Sequence, residues 1–206
     1  MAIRQLQGRV THSRMKRLNL CSGQRPFDNS CRICKLKKQD GGHAYGTITD
    51  HAFEPLWINV DAQDRWNPDV VADCSHMPMF EDASADMIVI HHGLEHFGCG
   101  EADAMLKECY RILAPNGSLI VCVPHMRALA QRWLARQMDD QIYFTNLYGA
   151  YMGDEADRHR WGFSQLSLFD TLAMCPWMKI KGFDWRDIPG ANIAKDFWIL
   201  GMEAIK

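Results

Sequence analysis

Four stretches of this 206-residue chain join residue types and spacings that could do chemistry. In WINVDAQ and VVADCSHMP an aspartate, Asp61 and Asp73, directly follows a short apolar run. In MIVIHHGLEHF the apolar run ends on His91-His92-Gly93-Leu94-Glu95-His96. Upstream, RLNLCSGQ breaks from apolar residues into the small-residue turn Cys21-Ser22-Gly23. A carboxylate at one strand end can accept both hydroxyls of a ribose, and a second can accept an adenine amino group. Either aspartate alone would read as a helix cap or turn former. Their order, beside a small-residue turn, suits an adenosine.

Other candidates carry less. Cys31-Arg32-Ile33-Cys34 is half of a zinc pattern. A tetrahedral site needs about four ligands, and no second CxxC or HxxxH follows at useful spacing, leaving His43, His51, Cys21 or Cys74 to complete one in space. No metal site is assigned. His125, His159 and Trp161 fall in segments expected above the strand ends, where a base would be useful, though a lone loop histidine is more often a packing residue. Trp133, Trp177, Trp185 and Trp198 read as core or edge packing.

The elements that must position these residues alternate. Apolar or β-branched runs at 17–20, 56–60, 70–72, 87–90 and 118–123 read as strands. EADAMLKECYRIL, 101–113, has Ala104, Met105, Cys109, Ile112 and Leu113 on one helical stripe, and Pro115-Asn116-Gly117 turns the chain into the next strand. Residues 126–138 and 164–174 are further helix candidates, and 195–205 reads as a closing strand. Strands separated by helices predict a mainly parallel sheet, with ligands beyond its carboxyl ends.

Composition limits the rest. Nearly half of the residues are apolar (47%) and 23% are charged, as in a globular domain. No apolar run reaches the length of a membrane span, and the first residues lack an apolar core of signal-peptide length, so a cytoplasmic protein is expected. Several of the eight cysteines sit inside predicted strands and helices, among them Cys109, Cys122 and Cys175, and read as reduced core residues. The net charge of −2 hides a basic start: ten Lys or Arg and one acid, Asp28, within residues 1–38. The chain is read as one domain, 1–206, with a basic arm (1–16) and an inserted loop (25–55) too long for an ordinary connection. Both could cover a ligand mouth or meet an anionic partner.

LNLCSGQRP, WINVDAQ, VVADCSHMPMFEDASADMIVIHHGLEHF and KECYRILAPNGSLIVCVPHM, taken in order, resemble the successive motifs of class I S-adenosylmethionine-dependent methyltransferases. The resemblance is closest to small predicted bacterial and phage methyltransferases of type 11, and LYGAYMGDEADRHRWGFSQLSLFDTL is similar to a later segment of that group. It covers most of residues 17–175. It implies an α/β Rossmann-like fold with a seven-stranded, mainly parallel sheet, helices on both faces and an antiparallel last strand. It implies S-adenosylmethionine as cofactor: Leu20, Cys21, Ser22 and Gly23 at its methionine part, Asp61 and Ala62 at the ribose, Asp73, Cys74 and Ser75 at the adenine, and His91 and His92 flanking the reactive centre. Cys21 stands where the family has its first turn glycine, adding a side chain where backbone should approach the ligand.

The expected activity is methyl transfer by in-line displacement to a small-molecule or sugar-linked acceptor, with His92 and then His159 as candidate bases. No D/N-P-P-Y/F sequence of an amino-methylating DNA enzyme occurs, although the basic start keeps a nucleic-acid acceptor as the alternative. A protein that binds or splits the donor without methyl transfer is the other alternative. A nicotinamide dehydrogenase would need the G-x-G-x-x-G turn, which is missing.

Overall fold

The structure, a computed structural model, describes residues 16–21, 57–150, 153–188 and 198–206. Ser22, Gly23, the arm before residue 16, the 25–55 insertion with Cys31, Cys34, His43 and His51, and the start of the predicted 195–205 strand lie outside the described residues.

The strands are β1 (Lys16–Leu20), β2 (Trp57–Asp61), β3 (Val70–Val71), β4 (Ala85–His91), β5 (Leu113–Pro124), β6 (Lys179–Gly182) and β7 (Ile199–Ile205). They form one seven-stranded sheet in the order β3-β2-β1-β4-β5-β7-β6. β1 to β5 run parallel, and β7 is antiparallel to both β5 and β6. The chain winds outward from β1 through β3, then crosses back to β4 on the other flank of β1. The switch point therefore falls between β1 and β4, the place where open sheets of this kind bind their ligands.

Alternation along the strands builds two apolar layers. Leu18, Leu20, Ile88, Ile90, Leu119 and Val121 point to one face, where Met105, Leu106, Cys109 and Ile112 of α1 (Ala102–Ile112) and Leu168 and Leu172 of α4 (Gln165–Leu172) complete the main core. Trp57, Val89, Ile120 and Cys122 face the opposite way, under Ile188, Phe183 and Trp185. Between the strands a polar thread fixes register: Asn19 Nδ2 donates to Asn59 Oδ1 at 2.9 Å, and Asn59 Nδ2 and N donate to Asp69 Oδ2 at 3.1 and 2.8 Å. Asn19 and Asn59 are register partners, so a one-residue slip would bury both amides without partners.

Some elements differ from expectation. The 126–138 helix is shorter, α2 (Met126–Leu134), and after a turn a helix not foreseen, α3 (Asp140–Tyr148), follows. β6 was not foreseen either. Strand β5 begins at Leu113, so Asn116, at φ 65°, makes its left-handed step inside the strand, where its N–H donates to Lys206 O at 2.8 Å. Ser164 caps α4 in a reciprocal box with Ser167. Trp133, Trp177, Trp185 and Trp198 are all partly exposed at the edges, whereas Trp57 is the buried one. Cys109, Cys122 and Cys175 are free thiols in the core. Among the described residues no helix is long and apolar enough to cross a membrane.

Candidate functional site

The carboxyl ends of β1 and β4 each pass directly into a left-handed residue, Cys21 at φ 54° and His92 at φ 54°. Non-glycine residues adopt this backbone only where the surroundings impose it. His92 N donates to Cys122 O at 2.8 Å, which anchors one step. At the other, the Cys21 side chain turns toward the β4 loop, with its Sγ 3.9 Å from that of Cys74. A methyl group on Gly93 would stand 2.7 Å from Cys21 Cβ and 2.9 Å from Ile90 Cγ2. The glycine that the β1 turn lacks is thus matched by one in the β4 loop, whose missing side chain makes room for the cysteine. The Cys74 hydrogen bond and then burial push the Cys21 thiol well above its ordinary range, so it stays protonated at neutral pH.

Asp61, at the end of β2, is buried, and its Oδ1 accepts the Gln63 N–H at 2.8 Å. Asp73 is exposed, and its Oδ1 accepts Ser75 N and Oγ at 2.8 and 2.7 Å. Each aspartate therefore shapes its own turn with Oδ1. Ala62 is exposed and Ser75 partly so, while Leu20 and Cys74 lie in the core. The loop after Asp73 is tied to α1: Met77 N donates to Glu108 Oε2 at 2.9 Å, and Arg111 donates to Phe80 O and Met77 O at 2.8 and 3.1 Å.

Beyond β4 lies a cluster centred on a residue that the sequence reading quoted but assigned no role. Glu95 is 1% exposed. Its Oε1 is 3.1 Å from His92 Nδ1 and 3.9 Å from His159 Nε2. Burial works against its charge, but His92, His159 and His96 outweigh it and bring its pKa from 4.5 to about 2. His159 is pushed the other way, its pKa lowered by burial. His91 stacks obliquely on His92 at 4.6 Å between ring centres.

His159 arrives from a distant part of the chain because backbone bonds carry it there. Arg160 N and Trp161 N both donate to Glu95 O, at 2.8 and 3.1 Å, and His159 N donates to Tyr148 O at 3.1 Å. Two residues earlier, Asp157 takes a bidentate pair from Arg65 in the loop after β2, at 2.8 and 2.9 Å. The run 153–163 thus forms a strap from the β2 loop to the β4 loop. Trp161, 43% exposed, and Phe163 then wall a shallow cleft with Gly98, Ala102 and Thr171. His125 sits apart as the N-cap of α2, its Nδ1 accepting Ala128 N at 3.4 Å.

A parallel sheet of this order, with its antiparallel β7 and the switch point between β1 and β4, is the class I methyltransferase architecture. A family model described as a methyltransferase domain matches residues 32–121, a stretch holding Asp61, Asp73 and the β4 loop. Over that stretch, which is less than half of the chain, the sequence is similar to methyltransferase domains, and the solved structures that follow share the fold. A methyltransferase from Archaeoglobus fulgidus is similar in structure at 14% identity, with 93% of this chain and 86% of that one covered and a TM-score of 0.54. A protein from Pyrococcus horikoshii is similar at 14% identity, 93% and 82% coverage and a TM-score of 0.54. One from Thermotoga maritima, described as a possible histamine N-methyltransferase, is similar at 13%, with 93% and 81% covered and a TM-score of 0.52. No curated protein matches by sequence.

Proposed function

We propose that the chain transfers the methyl group of S-adenosylmethionine to a small-molecule or sugar-linked acceptor beyond the ends of β1 and β4. The observation that carries this reading is the 153–163 strap that ties the β2 loop to the β4 loop, with His92, Glu95 and His159 gathered at its β4 end. In this reading the donor lies along the loops, its methionine part at the Cys21 turn, its ribose at Asp61 and its adenine at Asp73 and the Ser75 backbone. The acceptor enters under the strap. The acceptor's lone pair forms the new bond to the methyl carbon, the carbon–sulfur bond breaks with its electron pair on sulfur, and S-adenosylhomocysteine leaves. Holding the two partners in line at near-attack distance supplies most of the acceleration.

A hydroxyl or ammonium acceptor must also lose a proton. His92 suits that step: Glu95 faces its Nδ1 at 3.1 Å, which orients the ring and leaves Nε2 for the acceptor. The strap gives His159 a place on the acceptor side and would exclude water on closing.

Calorimetric titration with S-adenosylhomocysteine tests the donor half. Asp61→Ala should weaken binding by about 1–3 kcal/mol, the scale of lost hydrogen bonds to a charged group. A folded Asp61→Ala protein with undiminished affinity would overturn the assignment. Transfer of labelled methyl to a panel of hydroxylated and amino compounds and sugar conjugates tests the other half. Tight donor binding with no product across the panel would favour a protein that binds the donor without transferring it.

The ten-to-one excess of basic residues in 1–38 favours a second reading, a nucleic-acid acceptor. It predicts gel-shift binding that weakens steeply with salt, and no shift at low salt removes it.

A further inference from the structure

We propose that Glu95, His96 and His159 form a binding site for one divalent transition-metal ion, set beside the end of β4. One ligand atom from each of the three lies within 4.8 Å of the others. Ligands held about 2.1 Å from a common ion stand about 3–4 Å apart, so small side-chain rotations close the set.

The hydrogen bonds around the cluster already prepare both rings. A carbonyl can only accept, so His96 Nδ1, 3.1 Å from Arg158 O, carries its proton outward. The same holds for His159 Nδ1, 2.8 Å from Asn146 O. Each neutral ring is thereby left with its lone pair on Nε2. A ring nitrogen donating to a backbone carbonyl while the other turns toward a shared centre is the usual support for a metal-bound histidine. The rings stand edge to face, 5.0 Å between centres, so both reach the same point without stacking over it.

Glu95 supplies the second observation. Both of its carboxylate oxygens are buried; Oε1 faces His92 Nδ1 at 3.1 Å, and Oε2 accepts no hydrogen bond among the described residues. His159 Nε2 is 3.9 Å from Oε1, yet its lone pair faces an oxygen that is also an acceptor. Two acceptors turned toward each other in a buried site need a cation between them. A structural network that merely tied the strap down would place a donor there instead. The strap has its tie elsewhere, through the Glu95 carbonyl, which leaves the carboxylate without a part in it.

Two imidazoles and one carboxylate favour manganese, iron, cobalt or zinc over magnesium or calcium. Three protein ligands leave positions open on the partly exposed side of His96. Joined to the methyl-transfer reading, on which this step rests, the ion selects an oxygen acceptor. A hydroxyl held at an open position is made more acidic; its proton passes to His92 Nε2, its oxygen forms the bond to the methyl carbon, and the sulfur keeps the electron pair of the bond that breaks. An acceptor with two neighbouring oxygens, as on a sugar, could fill two positions at once.

The test uses the full chain, stripped with a chelator and dialysed, then titrated with manganese(II) while the free ion is followed by electron paramagnetic resonance. The expected result is saturation at one ion per chain, weakened at least tenfold in His96→Ala and in Glu95→Gln. Should Glu95→Gln fail to fold by circular dichroism, the more exposed His96→Ala decides. Absence of saturable binding, or unchanged binding in folded His96→Ala, overturns the site. S-adenosylhomocysteine titrated into the same samples separates the two readings. Donor binding without ion binding removes the metal site and leaves the methyltransferase assignment, whereas ion binding without donor binding upholds the site and removes its proposed role in transfer.

Discussion

Gly93→Ala should damage the turn after β1, and Cys21→Gly should repair it. The added Cβ would lie 2.7 Å from Cys21 Cβ, 2.9 Å from Ile90 Cγ2 and 3.0 Å from Cys21 Sγ. None of these atoms can swing away cheaply, because Cys21 Cβ is fixed to a left-handed backbone and Ile90 is fully buried. Overpacking of this kind costs about 1–3 kcal/mol, and a loss of about 2 kcal/mol lowers the melting point of a chain this size by about 4–8 °C. Cys21→Gly alone removes the strain of φ 54°, about 1 kcal/mol, but leaves a gap beside Cys74, so its net effect should be small. In the double variant the glycine makes room for the alanine, and the coupling should reach about 1–2 kcal/mol. Thermal melts of the four proteins and their titration with S-adenosylhomocysteine read the cycle. Strictly additive effects in both measurements would mean that the two loops do not share this contact, and the account of Cys21 would be wrong.

Three further outcomes follow from the same geometry. Arg65→Ala removes an ion pair that contributes at most about 1 kcal/mol at the surface, so the melting point should hardly move while methyl transfer falls severalfold as the strap loses its β2 anchor; unchanged turnover would show that the anchor is idle. Asn59→Ala leaves the buried Asn19 amide without its acceptor and should cost about 2 kcal/mol, read as a lower urea midpoint at unchanged slope, and an unaltered midpoint would count against the polar thread. The Glu108 pKa is held below its ordinary 4.5, chiefly by the Arg111 hydrogen bond, so its stabilising effect is complete above that value and fades as the pH falls through the lower folded one. Glu108→Gln should therefore flatten the acid limb of the stability curve below about pH 4.5, and an acid limb as steep as before would reject the pairing.

The sequence makes visible what packs against the sheet and hides what packs elsewhere. β1, β2, β4, β5 and α1 announce themselves because their apolar residues repeat with the period of the surface they bury. α3, DQIYFTNLY, buries no residue fully and has no stripe to read. It is held by its aromatics, with Tyr143 stacked on Trp133 at 4.6 Å and Phe144 against both. β6, KIKG, sits at the sheet edge with lysines outward, as edge strands do, and pairs with β7 alone.

The site divides along the same line. Asp61, Asp73 and His92 were legible because a strand end is a place that a sequence can mark. Glu95 and His159 were not legible as a pair, since 64 positions separate them and the hydrogen bonds of the strap, two of them to Glu95 O, bring them together. Cys21 was legible as a departure, but its remedy, Gly93, belongs to another loop and acquires meaning only when β1 and β4 are neighbours. A missing motif residue in one strand-end turn is therefore best sought as a compensating change in the turn beside it in the sheet, which the strand order identifies and the chain order does not.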